Sequence, residues 1–187
     1  MSARLPLNTQ ARVSALEFES VAPRRGGRLL FAPFSASLEP GTFLGIVGPN
    51  GSGKSSLLSV VARTGVRATG AVRYGGSEIA RMRSRERARV MALMTQDSYA
   101  PNELRVLDIV RVGALAGAAE GAVSATDRSL DALAQLGIRD LAARAYSTLS
   151  GGQRQLVQLA RVLAQNSPVM LFDEPTSALD LHHHLTV

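Results

Sequence analysis

The run Gly48-Pro49-Asn50-Gly51-Ser52-Gly53-Lys54-Ser55 constrains this chain more than any other stretch, because few folds accommodate it. It has the form G-x-x-x-x-G-K-S. Before it, Phe43-Leu44-Gly45-Ile46-Val47 is a short apolar run that reads as a strand of a buried parallel sheet. After it, Leu57, Leu58 and Val61 recur at helical spacing. Strand, glycine loop and helix together make a phosphate cradle. The glycines let N–H groups curl around an anion without Cβ clashes, and the helix points its partly positive N-terminus at the same place. Lys54 is then set to reach β- and γ-phosphates, and the Ser55 hydroxyl to ligate Mg²⁺. A dinucleotide fold is the rival, since Gly51-Ser52-Gly53 begins G-x-G-x-x-G, but Ser56 stands where the third glycine belongs. Among 21 basic residues Lys54 is the only lysine, so the chain keeps an ammonium where a point charge on phosphate is wanted.

At 187 residues with 45% hydrophobic content, the length suits one globular domain with a substantial core. The absence of cysteine excludes a disulfide framework, a C-x-x-C redox pair and a thiolate zinc site, and is compatible with a reducing compartment. No run approaches the ~18 apolar residues of a membrane span, and residues 1–12 lack the apolar core of a signal peptide. The formal charge of +6 is densest at Arg81, Arg83, Arg85, Arg87 and Arg89. As a helix, this segment puts Arg81, Arg85 and Arg89 on one face, with Glu86 nearby. It reads as a solvated face and not a nucleic-acid patch, because no aromatic residues are interleaved for base stacking.

Loose alternation over residues 12–21 and 29–38 predicts strands flanking the turn Pro23-Arg24-Arg25-Gly26-Gly27. Residues 70–76 predict another strand and turn, in an antiparallel layer beside the main sheet. The apolar run 90–95 predicts a core strand with Gln96 at its end. From Pro101 to Thr148 the chain turns alanine-rich and helical. Val106, Leu107, Val110 and Ala114 mark one helix, expected to be short because Gly113, Gly117 and Gly121 follow. Leu130, Leu133 and Ala134 mark another, with Ser124 as N-cap and Gly137 as its stop.

Leu149-Ser150-Gly151-Gly152-Gln153 opens the most regular helix, in which Leu156, Leu159, Ala160 and Leu163 share a face. Ser150 and Gln153 form an S-x-x-Q capping box that needs no ligand. The glycine pair needs another reason, since glycine costs about 1 kcal/mol against alanine in a helix interior. It bares N–H groups at a helix N-terminus, as an anion site would require. Further on, Val169-Met170-Leu171-Phe172-Asp173-Glu174 predicts a buried strand ending in paired carboxylates, which are costly to bury unpaired. In a phosphate-loop protein the first acid belongs on the Mg²⁺ shell and the second on the attacking water as general base.

In order and spacing, residues 48–55, Leu149 to Gln153, Val169 to Glu174 and Ser177-Ala178-Leu179-Asp180 resemble the Walker A, signature, Walker B and D-loop motifs of ATP-binding-cassette (ABC) ATPases. The resemblance covers essentially the whole chain. It implies an α/β fold of the RecA-like P-loop type: a parallel-sheet core, an antiparallel β layer and an inserted helical subdomain. The expected division is residues 1–96 and 165–187 for the nucleotide-binding core, and 97–164 for the helical subdomain with the signature. Gly48 to Ser56 would bind ATP, with Mg²⁺ held by Ser55, Gln96 and Asp173, and Glu174 and Gln96 catalytic. Ser150 and Gly152 would close over ATP on the opposite subunit of a head-to-tail homodimer, and Asp180 would couple the sites. The partners implied are transmembrane permease subunits, and indirectly a substrate-binding protein, which places the chain in the cytoplasm on the inner face of the membrane. Thr176-Ser177-Ala178-Leu179-Asp180-Leu181-His182-His183 and Leu104-Arg105-Val106-Leu107-Asp108-Ile109-Val110 are most similar to importer ATPases for iron–siderophore, haem or cobalamin complexes.

The chain departs from this pattern in three ways. Pro23, Arg24 and Arg25 occupy the region where the family carries an adenine-stacking aromatic, and an arginine plane could take its place. His182, His183 and His184 read as surface histidines, because consecutive helical residues do not converge on one metal ion. The family also continues beyond Glu174 with a helix, a core strand lying between the Walker A and Walker B strands, and a switch histidine. Such a strand buries several side chains at ~1.5–3 kcal/mol each, against a whole-domain stability of ~5–15 kcal/mol. A truncated form is therefore expected, and a catalytically inactive fragment is one alternative. A non-transport ABC ATPase acting on nucleic acid or the ribosome is another. The spacing from Lys54 to Ser150 has no heptad run, which argues against chromosome-maintenance members.

Overall fold

The structure, a computed structural model, describes residues 14–95, 103–118 and 124–174. The chain forms two compact units, residues 1–87 and 88–187.

The first unit is built on an antiparallel sheet. Strand β1 (Leu16–Arg25) turns at Gly26-Gly27 into β2 (Arg28–Leu29), and β3 (Phe34–Leu38) pairs with the same edge of β1 nearer its start. On the other edge β1 pairs with β4 (Arg67–Tyr74), which turns at Gly75-Gly76 into β5 (Ser77–Glu78). Alternation puts Leu16 and Phe18 inside. A bulge between Glu19 and Ala22, with Ser20 at a φ of 48°, resets the register so that Val21, Ala22 and Pro23 are buried in succession. Helix α1 (Lys54–Ala62) supplies Leu57, Val60 and Val61 to this core, and the Phe18 and Phe34 rings lie 5.3 Å apart. The expected antiparallel layer is thus present, with the phosphate loop leading into the helix beside it.

The apolar run before that loop does not behave as expected. Residues 43–47 form no strand, and Phe43 and Val47 are 91% and 96% exposed. Among the described residues the run has no ladder partner, and an isolated extended segment can satisfy its N–H and C=O groups only with water. The arginine-rich segment is also corrected. Arg81 closes a short 3₁₀ turn (Ile79–Arg81), and helix α2 (Ser84–Val90) begins only after Arg83, whose N–H donates to Glu86 Oε2 at 2.8 Å. No single helix therefore carries Arg81, Arg85 and Arg89.

In the second unit β6 (Met91–Met94) pairs in parallel with β7 (Val169–Phe172), the only parallel ladder among the described residues. Helices α3 (Val106–Ala116), α4 (Ala125–Gln135) and α5 (Gly151–Gln165) enclose a core that includes Val106, Val110, Leu133, Leu141, Leu156 and Val157. Ser124 caps α4 by accepting from the Thr126 N–H, and Gly137 follows its end with a φ of 67°, as the sequence predicts. Gly113 does not cut α3 short. It and Gly117, one helical turn apart, lie against the Arg161 and Gln165 carbonyls of α5, where a Cβ would collide with the backbone. These glycines set the distance between the two helices.

Alanine in a free helix interior is worth about 1 kcal/mol over glycine. Gly113→Ala and Gly117→Ala should instead each destabilise the protein by about 1–3 kcal/mol through overpacking. Urea unfolding of the single variants measures the sign, and stabilisation would disprove the close approach.

Candidate functional site

The phosphate loop begins at Gly48 and enters α1 at Lys54. Gly53 is the N-cap residue, at a φ of 100°, and a Cβ there would press on Leu30 and Phe31 at 3.3 Å. Both facts require glycine: the left-handed backbone disfavours a side chain, and the packing leaves little room for one. The Ser52 N–H donates to the Pro49 carbonyl at 3.2 Å and makes the inner turn. Lys54 folds back so that Nζ donates to the Gly48 carbonyl at 2.8 Å and the Pro49 carbonyl at 3.0 Å. The ammonium thus sits in the mouth of the loop. No side chain caps the start of α1 at Gly53, and its first turn contains no acid. A helix N-terminus with a lysine ammonium over it suits a polyanion. Asn50 and Gly51 lie at the exposed outer bend, and Ser55 and Ser56 in the first turn of α1.

In the second unit, Ser150 caps α5 through the reciprocal pair predicted from sequence: Gln153 N–H donates to Ser150 Oγ at 3.3 Å, and Ser150 N–H to Gln153 Oε1 at 3.1 Å. Leu149 is buried and anchors the turn, while Gly151 is exposed and Gly152 half-buried at the helix start. The exposed position of Gly151, with nothing near the site of a Cβ, leaves this end open to a ligand. At the end of β7, the Asp173 N–H donates to the Met94 carbonyl at 3.0 Å, extending the ladder by one bond. Glu174 then leaves the strand at a φ of 50°. Its carbonyl accepts from Gln155 Nε2 at 3.3 Å, so the first turns of α5 and the acidic strand end are tied directly. Gln96, Asp180 and His182 to His184 lie outside the described residues.

Sequence reasoning missed the polar chain inside α5. Gln158, 4% exposed, donates from Nε2 to the Tyr146 hydroxyl at 3.2 Å and accepts from Arg161 Nε at 2.9 Å. Arg161 also donates to the Leu93 carbonyl in β6 at 3.3 Å. Burial holds its guanidinium below the usual arginine range, with Tyr146 opposing, yet arginine keeps its proton in proteins. The chain runs from the turn before the signature to the strand that leads towards Gln96. Its signal in the sequence is a glutamine and an arginine three residues apart within the apolar run 156–164.

Oxygen donors are the ones Mg²⁺ prefers, and it commonly takes one or two carboxylates plus phosphate oxygens. The Ser55 hydroxyl and the Asp173 carboxylate are of that kind. No cluster of three or more His, Cys, Asp or Glu side chains among the described residues could hold a metal unaided. The donor chemistry therefore fits an ion that arrives with phosphates.

Comparison with known proteins places these features in context. The family model described as ABC transporter matches residues 31–177. The chain is 40% identical over 182 residues to the hemin import ATP-binding protein HmuV of Gloeobacter violaceus, covering 92% of this chain and 66% of that protein. It is 39% identical over 185 residues to the HmuV of Myxococcus xanthus, covering 92% and 68%. Among solved structures, a putative metal-chelate type ABC transporter in an inward-facing conformation matches with a TM-score of 0.72 at 30% identity, over 92% of this chain and 64% of that one. An ATP-bound bacterial Atm1-family ABC exporter matches with a TM-score of 0.78 at 25% identity, over 94% and 32%. The chain spans about two thirds of the length of the curated relatives it matches.

A left-handed backbone costs a non-glycine residue about 1–2 kcal/mol, so Glu174→Gly should stabilise the fold by up to about 1 kcal/mol. Glu174→Gln, which keeps the left-handed backbone, should bring no such gain. Arg161→Leu, which strands Gln158 and the Leu93 carbonyl, should cost about 2–4 kcal/mol. Chemical unfolding of the three variants checks all of this together.

Proposed function

Because the chain belongs to the ABC transporter family, we propose that it is the ATP-binding and ATP-hydrolysing subunit of an importer for haem or a related iron-complex or cobalamin cargo, working as a head-to-tail homodimer. The observation that carries this reading is the phosphate loop, with the Lys54 ammonium held in its mouth over a start of α1 that no side chain caps. The similarity to hemin import ATP-binding proteins supports the cargo class and the direction of transport. No helix among the described residues is long and apolar enough to cross a membrane. Transmembrane permease subunits are then the anchoring partners, with a substrate-binding protein upstream of them. This chain works from the cytoplasmic face.

In this reading the loop N–H groups and Lys54 hold the β- and γ-phosphates, and Gly48 to Ser56 form the binding loop. Ser55, Asp173 and Gln96 are the protein ligands of Mg²⁺, which supplies charge neutralisation at the transferring phosphoryl group. Glu174, where the chain leaves β7 with a left-handed backbone, takes the proton from the attacking water. Leu149 to Gln153 present the bared N-terminus of α5 to the nucleotide on the partner subunit, and Asp180 couples the two sites. Functionally, residues 1–96 and 165–187 act as the nucleotide-binding core and 97–164 as the helical subdomain.

Ligand that binds only the folded state stabilises it by about 2.7 kcal/mol at a hundredfold excess over Kd. For a chain of this length, that corresponds to a rise in Tm of about 5–10 °C. Mg-ATP should produce such a rise, and Lys54→Ala should abolish it. Glu174→Gln should keep the rise and lower phosphate release by about a hundredfold or more. An unchanged Tm with Mg-ATP would sink the reading.

A further inference from the structure

Four non-glycine residues among those described have a left-handed backbone: Ser20, Arg63, Asn166 and Glu174. Ser20 sits in the bulge of β1, and Arg63 and Asn166 are the C-cap residues of α1 and α5, so the fold itself accounts for these. Glu174 ends no helix and interrupts no ladder; it is the second residue after β7. Glycine makes such a turn without strain. Here the left-handed position keeps an exposed carboxylate instead. A backbone of this kind persists only where its surroundings hold it, and it concentrates at functional positions.

Two bonds hold it, one on either side. The Asp173 N–H donates to the Met94 carbonyl at 3.0 Å, so the chain is fixed to β6 up to that point. Gln155 Nε2 then donates to the Glu174 carbonyl at 3.3 Å. The second bond is only as firm as α5. Ser150 and Gln153 cap the start of that helix reciprocally, and Arg154, the residue before Gln155, donates from Nη2 to the Ser147 carbonyl at 3.0 Å. Further along, Arg161 Nη2 donates to the Leu93 carbonyl at 3.3 Å, and Gln165 Nε2 to the Met91 and Ala88 carbonyls at 2.9 and 2.7 Å. Helix α5 cannot slide along β6 without breaking these bonds. The Gln155 amide is therefore offered to Glu174 from a fixed place.

Resting on the nucleotide reading above, in which Glu174 is the general base, we propose that Gln155 is a positioning residue for Glu174. It holds the left-handed backbone from which the carboxylate meets the attacking water, and itself touches neither nucleotide nor water. Hydrolysis depends on it. Nucleotide binding does not, because that rests on Gly48 to Ser56 in the other unit. The first turn of α5 also carries Gly151 to Gln153, so a shift of that helix start reaches Glu174 through one amide.

Two measurements on the full chain test this, both using Gln155→Met, which matches the length of glutamine and removes the donor. The first is urea unfolding and needs no activity. Glu174→Gly should raise the midpoint of the natural protein, and raise it much less when Gln155→Met is also present, because a released Glu174 relaxes to ordinary backbone. An equal rise in both backgrounds, or no rise in either, would overturn the proposal. The second compares the Kd for Mg-ATP with the single-turnover rate of phosphate release. Gln155→Met should keep Kd within about twofold and lower the rate by about tenfold or more. Added to Glu174→Gln, it should lower the rate no further. The same fold-loss in both backgrounds, or Mg-ATP binding weakened to match, would leave Gln155 a merely structural residue. If Gln155→Met releases phosphate at the natural rate while Glu174→Gln is slow, the proposal falls and the nucleotide reading stands. If the natural chain is no faster than Glu174→Gln, the role of Glu174 falls and the proposal with it.

Discussion

A backbone that must touch another group can carry no side chain at the point of contact, and much of this structure follows from where that rule applies. At Gly53 the loop turns left-handed into α1 beneath Leu30 and Phe31, leaving the helix start without a side-chain cap. At Gly113 and Gly117 the same rule lets α3 lie against the carbonyls of α5. Gly151 and Gly152 follow no such contact: the space beside Gly151 is open, and Ser150 and Gln153 cap the start of α5. Glycine weakens a helix in isolation, so its placement at Gly113 and Gly117 identifies a surface where approach distance outweighs propensity.

Helix α5 is the element that the second unit is arranged around. Its apolar side chains fill the helical core on one side and face β6 on the other, with Leu159 and Val162 against Ala92 and Met94. An all-apolar helix could do this without specifying how it is rotated. The Tyr146, Gln158, Arg161 and Leu93 chain specifies it, because a wrong rotation would strand a largely buried guanidinium. Gln155 then fixes the helix start to Glu174. The acid that the proposed chemistry needs is held by its own backbone and by α5.

The two basic side chains are used differently throughout. Lysine occurs once, where a compact ammonium bonds two loop carbonyls. Arginine serves where a fork has several acceptors to reach, as at Arg161, and where an aromatic face is to be covered, as at Arg154 over the Tyr146 ring at 5.7 Å. Arg25 and Arg28, in direct register across the β1–β2 ladder, form no ion pair among the described residues.

Local chemistry was legible in the amino-acid order. The Ser150–Gln153 capping box, the Ser124 cap and the glycine turns each depend on residues within a few positions of one another, and each forms as predicted, as does the helix after the phosphate loop; the acid-ended strand forms too, with only Leu171 of it buried. What depends on distant neighbours was not legible. Residues 43–47 have the composition of a buried strand yet lie exposed, because a strand exists only where another segment offers it hydrogen bonds. Gly113 and Gly117 looked like helix breakers until α5 was seen against them. Gln158 and Arg161 looked like stray polar residues until Tyr146 and Leu93 supplied their partners. Propensity, capping and turn geometry are decided by adjacent residues and so are written in the sequence. Strand pairing, helix approach and buried hydrogen bonds are decided by segments far apart in the chain, and only the folded structure brings those together.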